Sequence, residues 1–367
     1  MITLLKNLNC YNPSYIGIKD ILIVKDIIYK VLEPNSIETT NLINEIDCNG
    51  LIGFPGLIDG HVHIIGGGGD SGFGSFKKEV SAHEIINAGV TTVVGVLGAE
   101  KDAKNLFELF AKAKALELEG INTYIYSGNY SIPIKTFTGD ITSDLTLIEK
   151  VIGVGEIAIS DERSSHPTVE ELIRIASNTY LGGLLGNKAG VMHFHLGDGK
   201  SKLSLIYDIL ENTDLPINMF LPTHVNRNEE LFKDAVQFAL RGGKIDLTAG
   251  EKIGVTVKNA ILELIRQKVN MDNVTISSDA NASSCCGMLE ISSLYKDLVD
   301  CINAGIDTSL VLSLVTKNVV KRLIKTDKLG EIKEGYKADI VIVNKSFIIK
   351  KVMSNGKFIK NDERNYG

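Results

Sequence analysis

No window of this chain reaches the roughly 18 consecutive apolar residues of a membrane span. Met1-Ile2-Thr3-Leu4-Leu5-Lys6 also lacks the basic region, apolar stretch and cleavage site of a secretory leader. A cytoplasmic protein without a membrane partner is expected. Cysteine is scarce: Cys10, Cys48, Cys285, Cys286 and Cys301 are odd in number, scattered and without CxxC spacing, so neither a disulfide framework nor a structural zinc site is indicated. The adjacent Cys285 and Cys286 read most simply as packed or partly exposed thiols. Tryptophan is absent, aromatics make up 6% of the chain, and no lysine or arginine cluster is interleaved with them, so nucleic acid is not an expected partner. The net charge of −6 is spread rather than blocked, and internal repeats are missing. What remains is chemistry on a small molecule or peptide.

What is present is a long alternation. At 367 residues and 44% hydrophobic content the chain can bury one large barrel or two domains. Eight β-branched runs read as strands: Leu57 to His63, Val90 to Leu97, Asn122 to Tyr130, Gly153 to Ser160, Val191 to Leu196, Ile217 to His224, Ile245 to Thr248 and Val274 to Asp279. Helical patterns separate them, among them Lys101 to Leu118, Thr168 to Leu185, Leu203 to Glu211, Glu229 to Arg241 and Val257 to Gln267, and Leu289 to Ala304 follows the last. Strands alternating with helices give parallel βαβ units, and eight of them predict an α/β fold, a (β/α)8 TIM barrel over residues 54–326. Residues 1–53 and 327–367 hold only short strand-like runs broken by Gly, Pro and Asn. Neither end can build a core alone, so the two are expected to combine into a small β-sandwich domain.

The chemistry starts at Gly60-His61-Val62-His63. Strand side chains alternate faces, so histidines two apart converge on one point, a metal-ligand arrangement. In a parallel barrel functional groups collect at the carboxyl ends of the strands. There the fourth strand carries Glu156, the fifth ends at His195, the sixth at His224 and the eighth at Asp279. Four imidazoles and two carboxylates from five strands are about what two metal ions require. His61, His63 and Asp279 are assigned to one ion, His195 and His224 to the other, and Glu156 to the bridge. A metal-bridging hydroxide would attack a polarised carbonyl, with Asp279 passing its proton to the leaving amine. Taken singly, Glu156 could be an ion-paired barrel residue and Asp279 a helix cap; their joint occurrence weakens both readings. His193 shares a strand face with His195 and competes for its role, with His195 preferred. His83 and His166 read as surface histidines. Imidazole and carboxylate accept zinc, manganese, cobalt and iron alike; the expected cofactor is two divalent ions, with Zn2+ first among them.

This set resembles the amidohydrolase superfamily. More specifically, Pro55-Gly56-Leu57-Ile58-Asp59-Gly60-His61-Val62-His63 with Gly66-Gly67-Gly68-Gly69, Ala158-Ile159-Ser160-Asp161-Glu162-Arg163-Ser164, His195-Leu196-Gly197-Asp198 and Pro222-Thr223-His224-Val225-Asn226-Arg227-Asn228 resemble the isoaspartyl dipeptidases, or β-aspartyl peptidases. The resemblance covers nearly the whole chain and implies hydrolysis of β-aspartyl dipeptides by a homo-oligomeric enzyme. It makes Tyr130 the group that polarises the scissile carbonyl and Arg163 and Arg227 the clamps for substrate carboxylates. Asp70 takes the place of the acid that receives the α-amino group, and Ser283 and the backbone at Gly68 complete the pocket. By their chemistry alone, two arginines and an acid around a binuclear centre suit a zwitterionic, acidic dipeptide.

Three departures bear on substrate. Glu156 stands where better-known members of that family carry a carboxylated lysine, supplying a similar charge without carbon dioxide; a mononuclear site becomes an alternative. Asp70 replaces a glutamate and is shorter by roughly 1.5 Å. Ala99 stands in place of a threonine, and the segments after strands seven and eight look short. An amidohydrolase acting on another small amide, a cyclic amide or an N-acyl amino acid, is therefore the alternative.

Overall fold

The computed structural model describes residues 1–37, 40–282, 289–325 and 327–361. Eight parallel strands carry the site: β1 Leu57–Val62, β2 Val90–Gly95, β3 Asn122–Ser127, β4 Val151–Ile159, β5 Val191–Leu196, β6 Phe220–Thr223, β7 Ile245–Thr248 and β8 Val274–Ser277. β1 to β6 form one continuous curled sheet in chain order, and β7 and β8 pair separately. Two seams join the pieces. At the first, the Asn226 side chain accepts from Thr248 N at 2.8 Å and donates to Thr248 O at 3.1 Å. At the second, Val62 bridges Ala280, Asp279 N donates to His61 O at 3.1 Å and His63 N to Ala280 O at 3.0 Å. The second seam sets the carboxyl end of β8 beside that of β1.

Every residue of β1, β2, β4 and β5 is buried, as expected of strands covered on both faces. Helix Val169–Leu185 buries Leu172, Ile175, Ala176 and Thr179, a stripe at the helical period. Where the sequence reads a helix from Lys101, the helix begins only at Leu106. Asn105 caps it, accepting from Glu108 N while the Glu108 side chain accepts from Asn105 N. Glu100 is thereby left in a turn, free to point inward. The sixth strand is also shorter than its apolar run, because Ile217–Met219 after Pro216 is a 3-10 turn.

The chain ends meet. Ile2–Asn12, Ser14–Val24, Ile27–Leu32, Ile43–Asp47 and Ile52–Pro55 join Ile340–Val343, Ile349–Ser354 and Lys357–Asn361 in one mixed eight-strand sheet. Ile2–Asn12 pairs with Ile43–Asp47 through Ile2 to Lys6 and with Ile52–Pro55 at Asn9 and Cys10. A single sheet thus wraps a core that includes Leu5, Leu8, Ile21, Ile340 and Met353, instead of two separate sheets facing one another. Asp339 ties it to the strands of the site, accepting from Asn122 Nδ2 at 2.8 Å and from Asn355 N at 2.6 Å.

Candidate metal centre

The side chains read as ligands come together at the carboxyl ends of the strands. His61 lies within β1 and His63 just beyond it, Glu156 within β4, His195 within β5, His224 one residue past β6 and Asp279 two past β8. All six are at most 3% exposed. His224 and Asp279 adopt left-handed backbone, φ 59° and 51°, a conformation uncommon outside glycine that recurs at functional sites.

Glu156 stands at the middle. Its Oε1 lies 3.2 Å from His63 Nε2, and its Oε2 lies 3.3 Å from His61 Nε2, 3.2 Å from His195 Nδ1 and 3.8 Å from His224 Nε2. Asp279 Oδ1 lies 3.2 Å from His61 Nε2 and 3.4 Å from His63 Nε2, with Oδ2 3.8 Å from His224 Nε2. Three overlapping donor groups result: His61, His63 and Glu156; His61, His224 and Asp279; Glu156, His195 and His224. Burial raises the Glu156 carboxyl, but the surrounding imidazoles, His61 foremost, hold it well below the usual range. Asp279 is likewise pushed up by burial and held down by His224, His61 and His63. Burial drives His224 down to about 3, so its ring is neutral and has a lone pair to give.

The arrangement can be tested against a metal by what it leaves unpaired. His61 Nε2, His63 Nε2, His224 Nε2, Glu156 Oε1 and Asp279 Oδ1 are buried without a hydrogen-bond partner among the described residues. Unpaired buried polar atoms are costly and rare, yet here five point at one another's neighbourhood. Nitrogen and carboxylate donors with nothing else to bind fit divalent transition ions.

Around this cluster lie groups that the sequence does not single out. Glu100 Oε1 is 3.3 Å from His63 Nδ1 and accepts from Gly98 N at 3.0 Å. His224 Nδ1 meets Thr248 Oγ1 at 2.7 Å. Asp59 accepts from Ser278 N at 3.1 Å, tying β8 to β1, and burial pushes its carboxyl up to about 7. Asp161 Oδ2 lies 3.0 Å from His195 Nε2. Asp59 and Asp161 had a signal, their places in the Pro55–His63 and Ala158–Ser164 motifs; Glu100 and Thr248 depend on contacts between distant segments.

The expected substrate groups line the same opening. Tyr130 OH is 2.8 Å from His195 Nδ1, and burial raises its phenol well above the ordinary value, keeping it a proton donor. Arg163 is held along its Nε and NH2 edge by Asp161 at 3.0 and 2.8 Å, and its NH1 meets Asp70 Oδ2 at 3.3 Å. The bidentate edge expected to receive a carboxylate is thus taken by Asp161, and NH1 faces Asp70. Arg227 NH1 lies 3.3 Å from His195 Nε2. Gly68 adopts φ 91°, and a Cβ there would meet Ser75 O at 2.5 Å, which accounts for glycine in the loop beside the site. Ser283, Cys285 and Cys286 lie outside the described residues. His83 and His166 are exposed and take no part. His193, the competitor for the fifth-strand position, does not join the donor groups: its Nε2 meets His61 Nδ1 at 2.9 Å, behind the cluster.

Comparison with known proteins agrees with this architecture. The sequence model of the amidohydrolase family matches residues 52–359. The structure of the β-aspartyl dipeptidase of the thermophilic keratin degrader Fervidobacterium islandicum AW-1 superposes with a TM-score of 0.93 at 42% identity, covering 99% of this chain and 98% of that one. A second structure of that dipeptidase, in complex with β-Asp-Leu, gives 0.93 at 41% identity, covering 99% and 97%. The adenine deaminase of Thermosipho africanus is 25% identical over 348 residues, 87% of this chain, and the chain spans only 52% of that protein's length. The chain belongs to the amidohydrolase family and, within that class of hydrolytic enzymes, to the β-aspartyl dipeptidases.

Proposed function

We propose that the protein is a metal-dependent dipeptidase that cleaves β-aspartyl (isoaspartyl) dipeptides. The eight strands are read as one closed barrel, and the terminal sheet as a domain of residues 1–53 and 327–367 docked on the barrel of residues 54–326. His61, His63 and Asp279 would hold one divalent ion and His195 and His224 another, with Glu156 shared, and the ions, Zn2+ first among the candidates, would supply Lewis acidity and an activated water. The observation that carries the reading is the convergence of five partnerless buried donor atoms on this point.

The chain's own residues then divide the work. Asp279 Oδ2, 3.8 Å from His224 Nε2, takes the proton of the attacking water and returns it to the departing amine. Tyr130, protonated and buried, donates its hydroxyl to the oxygen on which charge develops. Arg163, through NH1, and Arg227 take the substrate carboxylates, Asp70 takes the α-amino group, and the Gly68 backbone lines the pocket. The apposition of Asp70 and Arg163 at 3.3 Å supports this division, since a zwitterionic substrate presents one partner to each.

Hydrolysis of β-Asp-Leu but not α-Asp-Leu by the metal-loaded enzyme is the expected result. Two bound ions with neither dipeptide cleaved would reject the substrate and direct the search to cyclic amides and N-acyl amino acids. Assembly into a cytoplasmic homo-oligomer is expected as well, and a monomeric mass by light scattering would reject that assembly.

A further inference from the structure

His193 and His195 are two apart on β5 and both buried, yet they do different things. His195 faces Glu156. His193 instead lies edge-on to the His61 ring, with centroids 4.9 Å apart at 69°, and its Nε2 is 2.9 Å from His61 Nδ1. Its place is built from two sides. The Tyr126 ring lies parallel to it, 2° off plane at 4.8 Å. Gly155 leaves its backbone clear, since a Cβ there would come within 2.7 Å of His193 Cβ. The ring is 1% exposed, so it cannot turn outward to find another partner.

We propose that His193 is a positioning residue that fixes the tautomer of His61 and thereby turns the lone pair of His61 Nε2 toward the metal centre. The inference rests on the metal-centre reading above. A neutral imidazole carries one proton, and the partner of one nitrogen decides where it sits. If His61 Nδ1–H donates to His193 Nε2, then His61 Nε2 is left bare, 3.3 Å from Glu156 Oε2 and 3.2 Å from Asp279 Oδ1. The opposite assignment, with His193 Nε2–H as donor, puts the His61 proton on Nε2 and blocks ligation. His193 must therefore carry its own proton on Nδ1, a buried atom with no partner among the described residues. Hydrogen bonds of this kind behind a ligating imidazole orient the ring and sharpen metal affinity, typically about 10- to 100-fold.

The test uses zinc and the intact chain. In the zinc-loaded protein labelled with 15N-histidine, His193 is expected to show a protonated Nδ1 and a bare Nε2. His193→Phe keeps a ring against Tyr126 and removes the acceptor, and should weaken zinc binding, read by competition with a chromophoric chelator, by about 10- to 100-fold. His193→Gln restores an acceptor and should recover most of that loss. A His193 protonated at Nε2, or a folded Phe variant that binds zinc as tightly as the wild type, overturns the proposal. Should the Phe variant fail to fold, the nitrogen shifts of the wild type decide alone. A wild type that takes up no zinc rejects the metal-centre reading itself, whereas undiminished binding in the variant rejects only the role of His193.

Discussion

Two sets of buried carboxylates share the interior of the strand array and are treated in opposite ways. Asp246, within β7, accepts from Thr223 Oγ1 at 2.8 Å, Ser277 Oγ at 2.5 Å and Thr275 Oγ1 at 2.6 Å, so both oxygens are paired by hydroxyls of neighbouring strands. Glu156 and Asp279 each keep an oxygen without a partner, facing imidazole nitrogens in the same state. The first arrangement offsets the cost of burying charge within the chain; the second leaves that cost to be offset by something that binds. Backbone conformation follows that division only in part. Asp246 and Glu156 both sit within strands, while Asp279 and His224 are left-handed. Partnerless donors mark the functional end of the array more sharply than burial does, since both carboxylate sets are buried.

Glu156→Gln breaks the contrast most directly. Loss of the shared charge should lower dipeptide turnover by about 1,000-fold or more, with elemental analysis showing fewer than two ions per chain. Asp279→Asn removes the proton carrier, and a fall in kcat of about 100- to 10,000-fold is expected from steady-state kinetics. Tyr130→Phe deletes one donor to the developing oxyanion and should cost about 100- to 1,000-fold in kcat with little change in KM. The paired carboxylate should behave otherwise. Asp246→Ala strands three buried hydroxyls and should cost about 2–3 kcal/mol in urea unfolding, while ion content stays at the wild-type value.

The smallest expected effect concerns pH. Asp339, buried where the terminal sheet meets β3, is pushed up from 3.8 to about 6 by burial. The folded state then binds its proton more readily than the unfolded state does. Its contribution to stability is present in full below pH 3.8 and is lost as pH rises through about 6. Asp339→Asn should therefore gain on the wild type between pH 4 and pH 7 in denaturant titrations, and parallel curves would show that Asp339 is not the group responsible.

The same contrast explains what is legible in the sequence. The apolar runs located all eight strands, and β5 and β7 begin and end where the runs do, because strands buried on both faces carry an uninterrupted signal. Ligands at strand ends were legible for the same reason: Glu156, His195, His224 and Asp279 interrupt or close those runs. The six- and seven-residue helices Ala82–Asn87, Ile141–Leu147, Thr308–Leu314 and Lys317–Leu323 were not, since two turns are too short to display a period. Nor were the partners behind the ligands. His193 meets His61 across 132 residues of chain and Glu100 meets His63 across 37, and pairings of that kind leave no local spacing to find. The bidentate hold of Asp161 on Arg163 spans only two residues, yet carboxylate and guanidinium so placed are ordinary surface neighbours in most sequences.

The measurement that bears most directly on the partnerless donors is the divalent-ion content of the purified chain, taken on the same sample as its hydrolysis of β-Asp-Leu before and after exhaustive chelation. Two ions per chain, with turnover that disappears on their removal and returns on their replacement, is the expected result. Turnover that survives in ion-free protein would contradict the assignment of His61, His63, Glu156, His195, His224 and Asp279 as a metal centre.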